Sequence, residues 1–143
     1  MQALTADQYA RLRQLAEAWR DCHLKAAKRE PHFNPRLGVD ALCFQPHAYE
    51  EDRQGLLGAL VTPVSLSLVL VPDEPDVLRS AEQLILSLPS GAYPFVREVV
   101  SEANGWWRCE LLDDLSDVGS LQAGSRLAQQ LMERVMTPAT ETP

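Results

Sequence analysis

An amphipathic pattern with helical spacing occupies the N-terminal part of the chain. Thr5 followed three positions later by Gln8 is typical of a capping box, in which each side chain satisfies the other residue's backbone amide. Pro31 and Pro35 prevent the helix from continuing. We therefore predict a helix over residues 6–29 that packs through a single stripe. The stripe is formed by Tyr9, Leu12, Leu15, Ala16, Trp19, Cys22 or His23, and Ala26.

Short apolar runs separated by turn residues follow, and they are typical of β-strands. The runs cover residues 39–44, 56–61, 64–71, 84–88, 95–100 and 106–112. In the third run one set of alternate positions is wholly apolar and the other becomes so toward its end, which predicts a central strand. Residues 72–76 indicate a loop, and residues 77–83 indicate one or two helical turns.

Two local signals complete the pattern of elements. Asn104 and Gly105 lie between two apolar runs and predict a hairpin turn, because a type I′ turn needs positive φ at both central residues. From Ser120, a candidate N-cap, a second helical stripe predicts a helix over residues 120–136. That stripe consists of Leu127, Ala128, Leu131 and Val135. The proline-containing residues 137–143 predict a frayed tail.

These elements predict an α+β fold in one domain spanning residues 1–143. A chain of 143 residues with 45% hydrophobic residues can build one packed core. We expect an antiparallel sheet of about five strands over residues 39–112, with the N-terminal and C-terminal helices packed mainly on one face.

Charge and cysteine content restrict the functional class. A net charge of −7 and a pI near 4.9 argue against nucleic acid as a partner, because affinity for a phosphate backbone comes mainly from clustered Lys and Arg. The start of the chain shows no secretory pattern, and the apolar run 58–71 is shorter than the ~20 residues of a spanning helix. Three widely spaced cysteines argue against a disulfide framework, so we expect a cytoplasmic protein that does not span a membrane.

Candidate metal ligands are present but poorly spaced. Among the histidines and cysteines of the first third of the chain, Cys43 and His47 approach the spacing of a structural zinc site. A small metal carrier or enzyme using these two residues is therefore the alternative function. The structural interpretation of the same pattern is a core thiol and two surface imidazoles. Residues 119–125 lack the lysine of a phosphate loop, and no Gly-x-Ser-x-Gly elbow is present. We predict no catalytic residue and no cofactor.

Acidic loops and one indole suggest a partner surface. Three acidic groups lie in predicted loops, where they are either solvated or converge into a negative field for a cationic peptide. Alternation directs Trp107 to the core and leaves Trp106 half-exposed, as a partner anchor or as edge packing. The acidic residues are Glu50, Glu51, Asp52, Asp73, Glu74, Asp76, Asp113, Asp114 and Asp117.

Three segments together resemble the HybE-type (HupJ) nickel-iron hydrogenase assembly chaperones. They are Gly-Ala-Leu-Val-Thr-Pro at 58–63, Leu-Pro-Ser-Gly-Ala-Tyr-Pro-Phe at 88–95, and Cys109-x-Leu111, and the likeness extends from about Leu4 to Met136. Val64 stands where that family usually has Trp, and an Asp pair at 113–114 replaces its usual Ser-Pro. The paired cysteines of a fused rubredoxin are not found, so no iron site is carried over.

The resemblance implies a non-enzymatic maturation factor. Such a protein would hold hydrogenase precursor subunits, large and/or small, until cofactor insertion and export can proceed. The small-subunit precursor carries a twin-arginine signal peptide, cationic and then apolar. We expect the family-like segments and Trp106 to meet along one face as a partner-binding surface. The alternative is that Thr62-Pro63 merely separates two strands and Gly91 serves a turn. The predicted partner-binding residues are Thr62, Pro63, Pro89, Gly91, Tyr93, Phe95 and Trp106.

Overall fold

The computed structural model describes residues 4–49, 53–73, 83–101 and 104–138. In chain order the elements are α1 (Ala6–Ala27), β1 (Asp40–Tyr49), β2 (Arg53–Val61), β3 (Leu66–Pro72), β4 (Gln83–Leu88), β5 (Gly91–Ser101), β6 (Asn104–Leu112) and α2 (Leu121–Val135). The strands form one antiparallel sheet in the order β1-β2-β3-β6-β5-β4. The predicted α+β fold is confirmed, with six strands in the described part of the chain rather than about five.

Both helices begin at the predicted caps. The Gln8 amide donates to Thr5 Oγ1 at 3.1 Å, and the Thr5 amide donates to Gln8 Oε1 at 2.8 Å, so the capping box is complete. Ser120 caps α2 by accepting a hydrogen bond from the amide of Ala123 at 3.0 Å. Helix α1 ends at Ala27, two residues before the predicted limit.

The two helices cover opposite faces of the sheet, and the expectation that they share one face is wrong. Consecutive residues of β2 and β3 are apolar, and every residue of β3 is buried, so neither face of the sheet centre can be left in water. On the α1 face, Leu12, Leu15 and Trp19 pack over Leu56, Val69, Val100 and Trp106. On the α2 face, Ala128, Met132 and Val135 pack over Leu57, Leu68, Phe95 and Trp107.

Strands β5 and β6 form the predicted hairpin, but Asn104-Gly105 is not its turn. Asn104 pairs with Ser101, so Asn104 already belongs to β6, and residues 102–103 lie outside the described residues. The register places Trp106 opposite Glu98, whereas a turn centred on Asn104-Gly105 would pair Trp106 with residue 103. Most of the predicted helical turn at 77–83 also lies outside the described residues, and its last residue, Gln83, begins β4.

Gly58 permits a close approach between β2 and an aromatic ring. A Cβ atom added at Gly58 would lie 2.3 Å from Cδ1 of Phe44, on the neighbouring strand β1. No real side chain tolerates that separation, so the ring occupies the space that the glycine leaves open. This glycine of the family-like segment therefore serves packing.

We predict that Gly58→Ala lowers the free energy of unfolding by about 1–3 kcal/mol, because the added methyl group must displace the Phe44 ring. Gly119→Ala is the matched control, since a Cβ at Gly119 meets nothing within 4 Å. Its effect should stay within about 0.5 kcal/mol. Thermal and urea denaturation measure the stability of both variants. If the Gly58→Ala variant is as stable as Gly119→Ala, Phe44 does not need the space.

Candidate functional site

The turn between β2 and β3 is built by the hydroxyl of Thr62. This buried oxygen accepts hydrogen bonds from the amides of Val64 at 3.1 Å and Ser65 at 3.0 Å. It also lies 2.9 Å from the Ser65 hydroxyl. Thr62 therefore shapes the turn from inside.

Buried Asn34 ties this turn to two other loops. Its backbone amide donates to the carbonyl of Pro63 at 2.9 Å. Its Nδ2 donates to the carbonyls of Leu115 and Val118, each at 2.8 Å. The segments after α1, β2 and β6 are thus held together at one end of the sheet. The same hydrogen bonds satisfy the Asn34 side chain, whose burial without partners would be costly.

Glu98 lies at the centre of a hydrogen-bonded cluster on the α1 face. Its Oε1 accepts from Trp106 Nε1 at 2.7 Å and from Trp19 Nε1 at 3.1 Å. Its Oε2 accepts from Arg108 Nη1 at 2.8 Å. The side chains of Glu98 and Arg108 are 18% and 14% exposed, so water screens their pairing little. One carboxylate thereby links α1, β5 and β6.

The other donors of Arg108 reach back to β3 and along β6. Its Nε donates to Ser67 Oγ at 2.9 Å, and its Nη2 donates to Ser65 Oγ at 2.9 Å and to Glu110 Oε1 at 3.1 Å. The guanidinium carbon also lies 5.6 Å from the centre of the Trp19 ring. The guanidinium is therefore fixed in place and connected through Ser65 to the Thr62 turn.

A groove of about 260 Å³ opens beside this cluster, between the C-terminal half of α1, the β2–β3 turn and strands β5 and β6. The described residues that line it include four carboxylates, the imidazoles of His23 and His32, and one guanidinium, that of Arg108, which pairs with both Glu98 and Glu110. The C-terminus of α1 adds the partial negative charge of its macrodipole. Val64, Ala26 and Ala27 also line the groove. The lining carboxylates are Glu30, Glu98, Glu110 and Asp113.

The structure does not bring the predicted partner-binding residues together on one face. Phe95 lies in the core under α2, whereas Trp106 lies in the core under α1. Trp106 is completely buried, so the prediction of a half-exposed indole is wrong, because α1 covers β6 at this point. Thr62 and Pro63 are also buried, Tyr93 is half-buried, and Pro89 and Gly91 are exposed. Whether any of the seven contacts a partner stays a prediction.

The register instead places the two family-like turns at the same end of the sheet. Leu66 at the start of β3 pairs with Leu112 at the end of β6, and Gly91 at the start of β5 pairs with Leu88. Because β5 runs antiparallel to β6, the turn before β5 lies at the end where β6 finishes.

The turn between β4 and β5 also holds the end of α2. Both the amide and the hydroxyl of Ser90 donate to the carbonyl of Val135, at 3.2 and 2.8 Å, and Ser90 is hydrogen-bonded to the Tyr93 hydroxyl. Gly91 has φ +148°, a conformation that side chains rarely adopt. Segment 88–95 thus caps a helix and forms a turn.

The candidate metal pair is divided between two sides of β1. Cys43 has φ 61° at an irregularity between Leu42 and Gln45, and it lines a groove beside α1. His47 pairs with Gly55, two positions along from the Gln45–Leu57 pair. Because Leu57 faces α2 and positions two apart share a face, His47 lies on the α2 side of β1. Partial burial raises the pKa of the Cys43 thiol, which disfavours the thiolate that binds metals. Within the described ranges, no three His, Cys, Asp or Glu side chains lie close enough to hold a metal ion.

The acidic loops are only partly described. Glu50, Glu51, Asp52, Glu74 and Asp76 lie outside the described residues, so their convergence stays a prediction. Asp113 reaches the groove. The neighbouring carboxyl of Asp114 accepts hydrogen bonds from the hydroxyl and amide of Ser116, which lower its pKa, and lies 3.3 Å from His32.

Comparison with known proteins identifies the family. The sequence profile of the family described as "[NiFe]-hydrogenase assembly, chaperone, HybE" matches residues 10–143. The chain belongs to this family. It is a member of a group of hydrogenase assembly chaperones, as the resemblance of its segments indicated.

Two relatives agree with this HybE family assignment. The hydrogenase expression/formation protein HupT of Azotobacter chroococcum mcd 1 is 28% identical over 114 residues, covering 79% of this chain and 73% of HupT. The solution structure of HybE from Escherichia coli covers 90% of this chain and 83% of its own, with a TM-score of 0.58 and 20% identity. The likeness to the Escherichia coli structure shows that the fold is shared.

The sequence did not point to the residues that organise the site of this HybE family chain. Glu98, Arg108 and Asn34 belong to no recognisable motif. Arg108 and Glu110 do follow Trp106 at alternate positions along β6. That alternation places an indole, a guanidinium and a carboxylate on one face of β6. Their partners on β5 and α1 depend on strand register, which no local pattern specified.

We predict that Glu98→Gln lowers the free energy of unfolding by roughly 2 kcal/mol, because the amide cannot neutralise the Arg108 guanidinium and turns a donor toward it. Glu17→Gln, an exposed carboxylate on α1, is the control and should change little. Urea denaturation followed by tryptophan fluorescence measures both. Identical midpoints would mean that the cluster does not hold α1 on the sheet.

Proposed function

We propose that this HybE family chain is a non-enzymatic cytoplasmic chaperone that binds hydrogenase precursor subunits. The small-subunit precursor, with its cationic and then apolar twin-arginine signal peptide, is the partner that the groove suits best; the large subunit is the other candidate. Binding precedes the completion of cofactor insertion and export. The observation that carries the proposal is the electronegative groove beside the Glu98–Arg108 cluster, in a member of a hydrogenase assembly family.

The charge of the groove suits a cationic segment. Glu30 and Asp113 are exposed at the rim. Glu110 is 47% exposed, and its Oε1 is paired with Arg108. A net charge of −7 adds a long-range attraction that brings a cationic peptide to the chain faster at low salt. The α1 helix end strengthens the same field. An arginine-bearing segment would therefore find complementary charge at this groove.

The roles of the hydroxyl groups support a binding function rather than turnover. Thr62 and Ser65 bond to each other within the β2–β3 turn, and Ser67 accepts from Arg108. Ser90 bonds to the end of α2. Each of these possible nucleophiles is thus committed to holding the fold, and none has a histidine hydrogen-bonded to it as a general base among the described residues. Separation of Cys43 and His47 removes support from the metal-carrier alternative.

Capture of precursors tests the proposal directly. Purified chain should bind the small-subunit precursor in isothermal titration, and removal of the signal peptide should weaken binding at least tenfold if the groove holds it. Binding of the large-subunit precursor is measured in parallel. Failure to bind either precursor would overturn the proposed function.

We predict that the double variant Glu110→Gln/Asp113→Asn slows association with the small-subunit precursor about threefold or more at low ionic strength. The difference should shrink at high salt, because exposed charges are screened. Glu133→Gln, on α2 at the opposite face, is the control. Stopped-flow fluorescence gives the rates, and equal rates for all three proteins would exclude the groove as the cationic site.

A further inference from the structure

Among the described residues, part of the sheet face that α1 packs on is uncovered, over β4 and the first half of β5. Along β4, buried residues that face α2 alternate with exposed residues that face the α1 side. The exposed apolar residues include Ile85 at 58% and Val96 at 52%. We call this uncovered area the open floor. It consists of Gln83, Ile85, Ser87, Ala92, Pro94 and Val96, which are all exposed.

The dimensions of the elements explain why this floor is bare. Six strands spaced about 4.8 Å apart measure roughly 24 Å across. A helix with its side chains is only about 10–12 Å wide. Helix α1 packs over Leu56 of β2, Val69 of β3, Trp106 of β6 and Val100 near the end of β5. Space for another chain segment therefore remains over β4 and the first half of β5.

Strand β4 is also an edge of the sheet, and no other described strand pairs with its outer side. The other edge, β1, carries Pro46 and the irregularity at Cys43, features that discourage pairing with another chain. In contrast, β4 pairs with β5 in continuous register from Gln83 to Leu88 and contains no charge, proline or bulge. An uncharged, regular edge beside an exposed Ile85 is unusual for a surface that stays in water.

The open floor is continuous with the acidic groove. Val96 pairs directly with Arg108, whose guanidinium contacts the rim carboxylate Glu110. No residue of the floor itself is charged, so the carboxylates lie at one side of an apolar area. A ligand that matches both parts carries positive charge first and apolar residues next.

We propose that the open floor holds the apolar stretch of the precursor segment whose basic residues occupy the groove. The inference rests on the proposed function, and it locates the second half of the binding surface. A second copy of the chain fits less well, since it would bring together two molecules of charge −7 and leave the groove carboxylates unmatched.

The test uses a synthetic peptide with paired arginines followed by a leucine- and alanine-rich stretch, and a second peptide in which the apolar stretch is replaced by serine and glycine. The variant is Ile85→Thr/Val96→Thr, because threonine keeps the β-propensity of both positions while removing apolar surface. The control is Leu121→Gln, which changes an apolar residue, 56% exposed, at the start of α2 on the other face.

Fluorescence anisotropy should show that the double variant binds the first peptide at least tenfold more weakly than the wild type and the control do. All three proteins should bind the second peptide equally weakly, and their melting temperatures should agree closely. Retained affinity in the double variant, with the wild-type chain still capturing the precursor, would overturn this inference and leave the proposed function standing. Failure of the wild type to capture either precursor would overturn both.

Sedimentation velocity at the same concentrations tests whether a second copy of the chain occupies the open floor. If the wild type is a dimer that the double variant dissociates, while peptide affinity is unchanged, a second copy covers the floor and the inference is wrong. A wild type that remains monomeric, together with the tenfold loss of peptide affinity, supports it.

Discussion

The carboxylate of Glu98 is the interaction on which the α1 side of this molecule depends. A charged group this deep in the structure is stable only when its oxygens are paired and hydrogen-bonded. Arg108 supplies the charge, and the indoles of Trp19 and Trp106 supply the remaining donors. Because one indole comes from α1 and the other from β6, satisfying the carboxylate also fixes the position of the helix across the sheet. The groove is the space left between that helix and the strands.

The two faces of the sheet consequently differ in kind. The α2 face is an apolar core closed from β1 to β4, and the hydrogen bonds of Ser90 to Val135 hold the end of its helix. On the α1 face, the helix covers the sheet centre and the end of β5, with an ionic cluster at its margin. Among the described residues, β4 and the first half of β5 are uncovered on this face. A chaperone must expose apolar surface to a client without losing its own core. In the proposed mode of binding, the apolar floor lies beside the Glu98–Arg108 cluster, so a client would cover the floor without displacing the core beneath α1.

Local patterns predicted the elements well because their signals are local. The Thr5–Gln8 box, the Ser120 cap and the alternation in β3 depend on residues a few positions apart. The choice of helix face could not be predicted in the same way, since each helix has one stripe and the sheet centre is apolar on both sides. The hairpin turn was misplaced because the pairing of Trp106 with Glu98 overrides the preference of Asn104-Gly105.

The candidate site was harder to predict for a related reason. Gly58, Thr62 and Gly91 belong to family-like segments, yet each has a structural role in packing or a turn, and sequence motifs do not separate that role from partner contact. Glu98 and Arg108 are ten positions apart and become neighbours only through the β5–β6 register. Ile85 is exposed only because α1 does not extend over β4, a fact of tertiary packing.

The most direct measurement follows the methyl groups on the two faces during binding. Ile85 is the sole isoleucine of the chain, so δ1-methyl labelling places one reporter on the open floor, and Met132 and Met136 report from the α2 side. On titration with the arginine-leucine peptide, methyl spectra should show the Ile85 resonance shifting while those of Met132 and Met136 stay in place. Movement of the methionine resonances with an unchanged Ile85 signal would contradict the assignment of precursor binding to the α1 face.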